Sequence, residues 1–290
     1  MSLVSFKEML ADASKRHYAV PMFDVSNATM MRSAVETAEE AGSPIILAAI
    51  PFDIADDASL GWWYNSAVYA AQVKVPVCLH LDHATDFTMI EKAINAGFSS
   101  VMYDGSVLDF DNNAKNTAQV VKLAHAHGIT VEAELGHVGN GSVGSISETG
   151  TDTDPGESLT VPEEVARFVE ITDVDALAVA IGTAHGVYQK TPTLRIDRLD
   201  EIAAVCERPL VLHGGSGTPN DQMQNAIQHG ITKINIYSDV VGAMNKGLKD
   251  KLNAMENPAT WPFLVFADAR AMMKEVARNK LRTFGSAGRL

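Results

Sequence analysis

Two rhythms of apolar residues alternate along this chain. Short, almost continuous runs of Val, Ile, Leu and Ala predict strands at residues 19–25, 44–50, 75–81, 99–105, 130–135, 176–182, 209–214 and 233–238. Because these runs lack the apolar–polar alternation of a one-sided sheet, they suit parallel strands covered on both faces. The segments between them, among them MMRSAVETAEEAG, MIEKAINAG, NTAQVVKLAHAHG, VPEEVARFVEI and DQMQNAIQHG, carry the period of amphipathic helices. Gly42, Gly97, Gly128 and Gly230 each follow the last periodic residue, where a helix stops in the left-handed conformation.

Roughly eight strand-then-helix units, with no second pattern, predict an α/β fold. The expected form is a TIM (β/α)8 barrel with a C-terminal helical extension, residues 1–290 making one domain. An open doubly wound sheet is the alternative, but no GxGxxG follows the first strand, so a dinucleotide site has no support. One segment breaks the rhythm. HVGNGSVGSISETGTDTDPGES, residues 137–158, is dominated by Gly, Ser, Thr and Asp, and it directly follows the fifth strand. It should therefore lie over the C-terminal mouth of the barrel, where such folds place their chemistry.

Histidines stand at the ends of three predicted strands: His83 in HLDHATD, His185 in AIGTAHG and His213 in VLHGGSG. In a barrel those ends converge, so three imidazoles distant in sequence can meet around one ion. Three His with an open fourth position is a catalytic zinc arrangement. For any one of them taken alone, a hydrogen-bonded core histidine is the ordinary reading. His80 and Asp82 alternate onto the same side of the third strand, with His83 first in the loop beyond. Asp82 beside a metal can move the proton of a substrate hydroxyl; its structural alternative is a helix N-cap.

Glycines mark a second feature. HGGSG after the seventh strand offers backbone N–H groups for an anion, and NIYSD after the eighth adds Asn235 and the Ser238 hydroxyl. Barrels often hold phosphate in these two loops, and the helix after Thr218-Pro219 brings its positive end close by. A plain turn is the competing account. Asp104, Glu132 and Glu134 place acids on the fourth and fifth strands, where a salt bridge to Lys233 or an arginine competes with a place near the metal. Glu134 is placed near the metal. Trp62 and Trp63 read as helix packing rather than as an aromatic wall, and His125 and His127 as solvent-facing at a helix end.

Composition narrows the partners. The net charge of -13 excludes nucleic acid and anionic membranes as expected partners, and no apolar window reaches the ~18 residues of a membrane span. The two cysteines, Cys78 and Cys206, sit in apolar runs that read as buried core, so a disulfide framework is not expected and the setting is a reducing cytoplasm.

Together HLDHATD, GFSSVMYDGS, VEAELG, AVAIGTAHGVY, PLVLHGGSGTP, KINIYSD and KLRTFGSAGRL resemble the class II fructose-bisphosphate and tagatose-bisphosphate aldolases over nearly the whole chain. The resemblance implies a lyase that reversibly cleaves a ketose 1-phosphate or 1,6-bisphosphate to dihydroxyacetone phosphate and an aldehyde, through an enediolate stabilised by zinc. It implies zinc ligation by His83, His185 and His213, with Asp104 and Glu134 near an alternative or second cation position. It gives Asp82 the proton of the hydroxyl at the cleaved bond, and dihydroxyacetone phosphate to Gly186, to Gly214, Gly215 and Ser216, and to Asn235, Ile236, Tyr237 and Ser238. The loop that in the family carries GG followed by acids, one of them the proton-abstracting carboxylate, reads GNGSVGSISETG here, and Glu148, or else Asp152 or Asp154, would take over that role on the three-carbon unit. No lysine Schiff base is then needed. A phosphorylated sugar is the expected partner, and a homodimer or homotetramer the expected assembly, with Arg278 and Arg282 on its contact surface.

Two positions depart from the family pattern: Asp24 stands where Asn is common, and Ile50 where Ser or Thr is. Both face the aldehyde half of the substrate in relatives, so a substrate other than fructose 1,6-bisphosphate is expected. Two other functions remain open on sequence: a zinc hydrolase on the same barrel, which would ordinarily show HxH on its first strand, and a sugar-phosphate-binding barrel without turnover.

Overall fold

A computed structural model describes residues 3–139, 158–188 and 190–290. Eight parallel strands close into a barrel in sequence order. After α1 (Phe6–Arg16), the chain runs β1 (Val20–Asp24), α2 (Ala28–Ala41), β2 (Ile45–Ala49), α3 (Asp57–Ala70), β3 (Val77–Ala84) and α4 (Phe87–Ala96). It continues through β4 (Ser100–Tyr103), α5 (Phe110–His125), β5 (Thr130–Leu135), α6 (Pro162–Thr172), β6 (Ala176–Val179) and α7 (Ile196–Ala203). Then come β7 (Leu210–Leu212), α8 (Asn220–Gln228), β8 (Ile231–Ile236), α9 (Ser238–Ala254), α10 (Pro262–Val265) and α11 (Ala267–Thr283). The TIM barrel with its helical C-terminal segment is thus the observed fold. β8 starts two residues before the predicted strand, and Gly42 and Gly97 end α2 and α4 at φ 61° and 101°.

The continuous apolar runs are explained by two apolar layers. Phe23, Leu47, Leu79, Val101, Val131, Leu177, Leu212 and Ile234 pack outward against the helices. Their neighbours Val20, Met22, Ile46, Cys78, Ala176 and Val211 point inward at the lower end of the barrel. There α1 acts as a plug: Phe6 stacks on His80 at 5.4 Å, with rings 12° from parallel. Each such aliphatic or aromatic side chain contributes roughly 1.5–3 kcal/mol by leaving water.

Toward the C-terminal mouth the inward positions turn polar: His80, Asp82, Asp104, Glu132, Glu134, His213, Lys233 and Asn235 are all buried. Trp63 is packing, as expected, stacked on Phe98 and donating its indole N–H to Val25 O at 2.7 Å, while Trp62 is half exposed. His125 and His127 are both exposed, as expected, and His125 also bonds Asp175 at 2.8 Å; Cys78 is buried and Cys206 only partly so, both as free thiols. No helix among the described residues is long and apolar enough to cross a membrane.

α11 closes the ring by packing against both α9 and α2. The tail beyond it donates the Gly288 and Arg289 N–H groups to Ala41 O and Gly42 O, satisfying carbonyls at the end of α2. Charge reinforces the seam: Glu36 accepts from Arg32 and Arg270 and lies 3.4 Å from Lys274, and Glu40 meets Lys274 and Arg278. Burial raises the Glu36 carboxyl, but the bond from Arg32 and the charges of Arg270 and Lys274 outweigh it and hold it below the ordinary glutamate value.

A carboxyl depressed in the folded state stabilises above its unfolded pKa and loses that contribution as pH falls. Glu36→Gln is therefore expected to lower the melting temperature at pH 7 by about 1–2 °C in low salt, since a partly exposed network is worth about 1 kcal/mol or less. Thermal melts from pH 7 down to about pH 3 check the sign, because the gap between variant and parent should close as the carboxyl protonates.

Candidate active site

The bend at the end of β3 sets the site. β3 pairs Leu81 with Val101 and Ala84 with Tyr103, so three steps on one strand face two on the other, and His83 takes φ 48°. In an unbroken strand Asp82 and His83 would point to opposite faces; at this bulge both enter the mouth, with Asp82 Oδ2 3.7 Å from His83 Nε2. His83 accordingly lies within β3 and not in the loop beyond it. A non-glycine residue in the left-handed region costs about 1–3 kcal/mol, and such strain concentrates where side chains must be aimed.

The three predicted imidazoles do converge. His83, His185 and His213 place one ring nitrogen each within 4.8 Å of one another, with ring centroids 4.6, 4.8 and 5.8 Å apart. Carboxylates fix two of the tautomers. His83 donates from Nδ1 to Asp104 Oδ2 at 2.9 Å, and His213 donates from Nε2 to Glu132 Oε1 at 2.8 Å. The remaining ring nitrogens, His83 Nε2 and His213 Nδ1, lie 2.9 Å apart, where they share one proton or face one cation.

Two more buried atoms point the same way, since His185 Nε2 and Glu134 Oε2 have no hydrogen-bond partner. Burial and the neighbouring His83 and His213 push the His185 pKa well down, which keeps the ring a neutral ligand. A second cluster, His83 with Asp104 and Glu134, adjoins the first. Burial and the nearby Asp104 charge push Glu134 well above the ordinary carboxyl value. Asp104, which burial alone would raise, is held low by His83 and Ser106. One acid keeps its proton because two buried carboxylates cannot both ionise without a cation. The donor set therefore fits a divalent metal on His83, His185 and His213, with room for carboxylate ligation.

Asp82 stands beside this triad with Oδ2 accepting the Asn235 amide at 3.0 Å, while His80 Nε2 lies 3.4 Å from Oδ1. Burial raises its carboxyl; His83, His80 and Lys233 overcome this and keep it well below the usual range, so Asp82 is a carboxylate. It is not the N-cap of the next helix, a role that Asp86 fills. Glu132, by contrast, is the structural acid: Lys233 Nζ lies 2.8 and 3.0 Å from its two oxygens.

The loops after β7 and β8 meet as expected. Ser216 Oγ accepts the N–H groups of Tyr237 and Asp239 at 3.0 and 3.2 Å, which leaves its own proton to donate. Gly214 has φ 66°, and a Cβ there would stand 2.5 Å from Ala184 O, so only glycine lets the loop after β7 touch the loop after β6. A cavity of about 270 Å³ opens at this junction, lined by Gly186, Val187, Tyr188, Thr191, Gly217, Ser238 and Asp239. Gly215 N–H is turned to Asn235 O, and neither Asn235 nor Ile236 lines this cavity.

Four participants were not singled out in the sequence. Tyr188 ties the His185 loop to the HGGSG loop, its hydroxyl accepting Ala184 N–H and donating to Gly214 O. Ser106 and His137 bond at 2.8 Å beside Asp104, and Asp239 lines the cavity. Only Asp239 had a signal, its adjacency to Ser238. Glu148, Asp152 and Asp154 lie outside the described residues; the flanks of their segment meet at the mouth, where His137 N–H bonds Ser158 O and His185 N–H bonds Gly139 O.

Comparison with known proteins agrees with this geometry. The family model for class II fructose-bisphosphate aldolase matches residues 4–289. The YdjI aldolase of Escherichia coli K12 superposes with a TM-score of 0.86 at 33% identity, covering 99% of both chains. A Coccidioides immitis protein assigned as a fructose-1,6-biphosphate aldolase gives 0.86 at 27% identity, over 97% of this chain and 96% of that one. The fructose-bisphosphate aldolase of Campylobacter jejuni, 20% identical with a TM-score of 0.81 over 99% and 97%, shares the fold. The chain belongs to the class II fructose-bisphosphate aldolase family and is an aldolase, a carbon–carbon lyase.

Metal content tests the donor set. Purified protein is expected to bind zinc near one equivalent by atomic emission, and His185→Ala to lose it. Asp104→Ala, which removes only the carboxylate that orients His83, should weaken zinc binding by about 10–100-fold. Undiminished zinc in both variants would show that these imidazoles do not share an ion.

Proposed function

We propose that residues 1–290 form one domain that binds zinc and reversibly cleaves a ketose 1-phosphate to dihydroxyacetone phosphate and an aldehyde. The observation that carries this is the meeting of His83, His185 and His213 beside an ionised Asp82, one loop away from an anion-ready cavity. His83, His185 and His213 would hold the metal, whose positive charge, when bound, stabilises the electron pair left on the three-carbon unit.

The chain's own residues do the rest. Ser216 and Ser238 hydroxyls, the backbone around Gly186 and Gly214, and the N-terminus of α9 hold the phosphate and so fix the reacting carbon at the imidazoles. Asp82, kept anionic by its neighbours, accepts the proton of the hydroxyl on the aldehyde side as the bond opens and returns it in the condensation direction. Asn235 holds that carboxylate in place through its amide. Glu148 is our choice for the group that moves the proton on the three-carbon unit.

The rest of the mouth argues for a single phosphate. Asp24 ends β1, Ile50 follows β2, and Asp53 beside them, accepting from Ser26 at 3.2 Å, has its carboxyl raised by burial. Two acids and an isoleucine give a second phosphate no donors on this side, and like charges there are unfavourable. We therefore read the aldehyde product as unphosphorylated, the protein as cytoplasmic, and its working form as a homodimer or homotetramer. Arg278, one of the residues expected at the contact, is engaged with Glu40 and Glu275 of its own chain.

A coupled assay for dihydroxyacetone phosphate over a panel of ketose 1-phosphates, with fructose 1,6-bisphosphate for comparison, tests the reading. Some monophosphate should turn over faster than the bisphosphate, and chelation should abolish the reaction. Asp82→Asn should lose about 10²–10⁴-fold in cleavage yet still exchange the hydroxymethylene proton of dihydroxyacetone phosphate with solvent. A panel that stays inert with zinc present, or exchange lost together with cleavage, counts against these assignments.

A further inference from the structure

Lys280, on α11, is only 6% exposed. A lysine so far from water ordinarily has an anionic partner. Its Nζ lies 2.7 Å from Asp239 Oδ2 and 3.5 Å from Gly215 O. The same Asp239 oxygen accepts the Gly217 N–H at 3.3 Å, and Asp239 lines the cavity between the loops after β7 and β8. Asp239 has a reason to be there: an acid in the first turn favours α9, and this one anchors the glycine loop. Left alone, however, its charge would stand in the wall of a pocket meant for a phosphate and oppose it.

We propose that Lys280 is a positioning residue of the phosphate pocket. Its ammonium neutralises Asp239 and, by reaching both Asp239 and Gly215, ties the loop after β7 to the start of α9. The N–H groups and hydroxyls there then face an anion without a competing carboxylate. The inference rests on the assignment of this pocket to phosphate made above. A purely structural Lys280–Asp239 pair would support the seam between α11 and α9 without affecting anion affinity.

Zinc-loaded wild type, Lys280→Met, Lys280→Arg, Asp239→Asn and the double variant K280M/D239N separate the two. Calorimetric titration with inorganic phosphate and with dihydroxyacetone phosphate reads affinity, steady-state kinetics separate KM from kcat, and thermal melts report folding. K280M is expected to bind both anions about tenfold more weakly and to raise KM, with kcat within about twofold of wild type. K280R should recover most of the affinity. K280M/D239N should bind more tightly than K280M, because the uncancelled carboxylate is gone. D239N alone leaves the ammonium uncompensated and should bind phosphate more tightly than wild type, which decides the matter even if K280M does not fold.

Unchanged affinity in K280M, or D239N binding more weakly than wild type, would overturn this proposal while leaving the pocket assignment intact. A wild type that binds neither anion would overturn both.

Discussion

An ion pair sealed inside the barrel governs the rest of the site. Lys233 from β8 and Glu132 from β5 meet across the interior at 2.8 and 3.0 Å, with both side chains fully out of water. Neither charge is tolerable there alone; removing one partner of such a pair typically costs about 3–5 kcal/mol. Pairing also directs chemistry. Glu132, held ionised by Lys233, accepts the Nε2–H of His213 and so fixes which nitrogen His213 presents to the mouth. His83 is oriented in the same way by Asp104, which follows the neighbouring strand β4. The scaffold's electrostatics thus choose the nitrogen that His83 and His213 each turn to the mouth.

The same logic explains why the barrel interior changes character along its axis. At the lower end, Phe6, Met22, Ile46 and Val211 form a small apolar plug. Above it, the polar side chains must satisfy one another, and most do so through bonds between strands that are not neighbours, such as Asn235 of β8 with Asp82 of β3. These cross-barrel bonds hold the mouth at a fixed width, which the approach of three imidazoles from β3, β6 and β7 requires.

Periodicity made the strands and helices legible because each apolar run is buried on both faces and each amphipathic run on one. The strand-end histidines were legible for the same reason: once the barrel closes, positions at strand ends become neighbours. What the sequence hid was geometry that depends on register. The bulge that turns Asp82 and His83 to one side follows from the pairing of β3 with β4, and no residue type in HLDHATD announces it. Lys280 was hidden differently. It looks like one more cation on an amphipathic helix, and only the packing of α11 beneath the loops after β7 and β8 buries it. Tyr188 was read as part of a motif and not as the hydroxyl that joins two loops.

A barrel that only binds a sugar phosphate would not need this interior. The cavity by Gly186, Gly217 and Ser238 could hold an anion by itself, and the places of His185 and Glu134 could be filled with aliphatic side chains. Instead, among the described residues, Glu134 Oε2, His185 Nε2 and Asn235 Oδ1 are buried without a hydrogen-bond partner. Each such atom costs about 1–3 kcal/mol, and several in one place amount to a large fraction of a domain's stability. A hydrolase would need its carboxylate free to activate water, whereas Asp82 is held by the Asn235 amide at the side of the triad facing β8. A proton acceptor fixed beside three convergent imidazoles suits the opening of a carbon–carbon bond next to a hydroxyl, which is what an aldolase does.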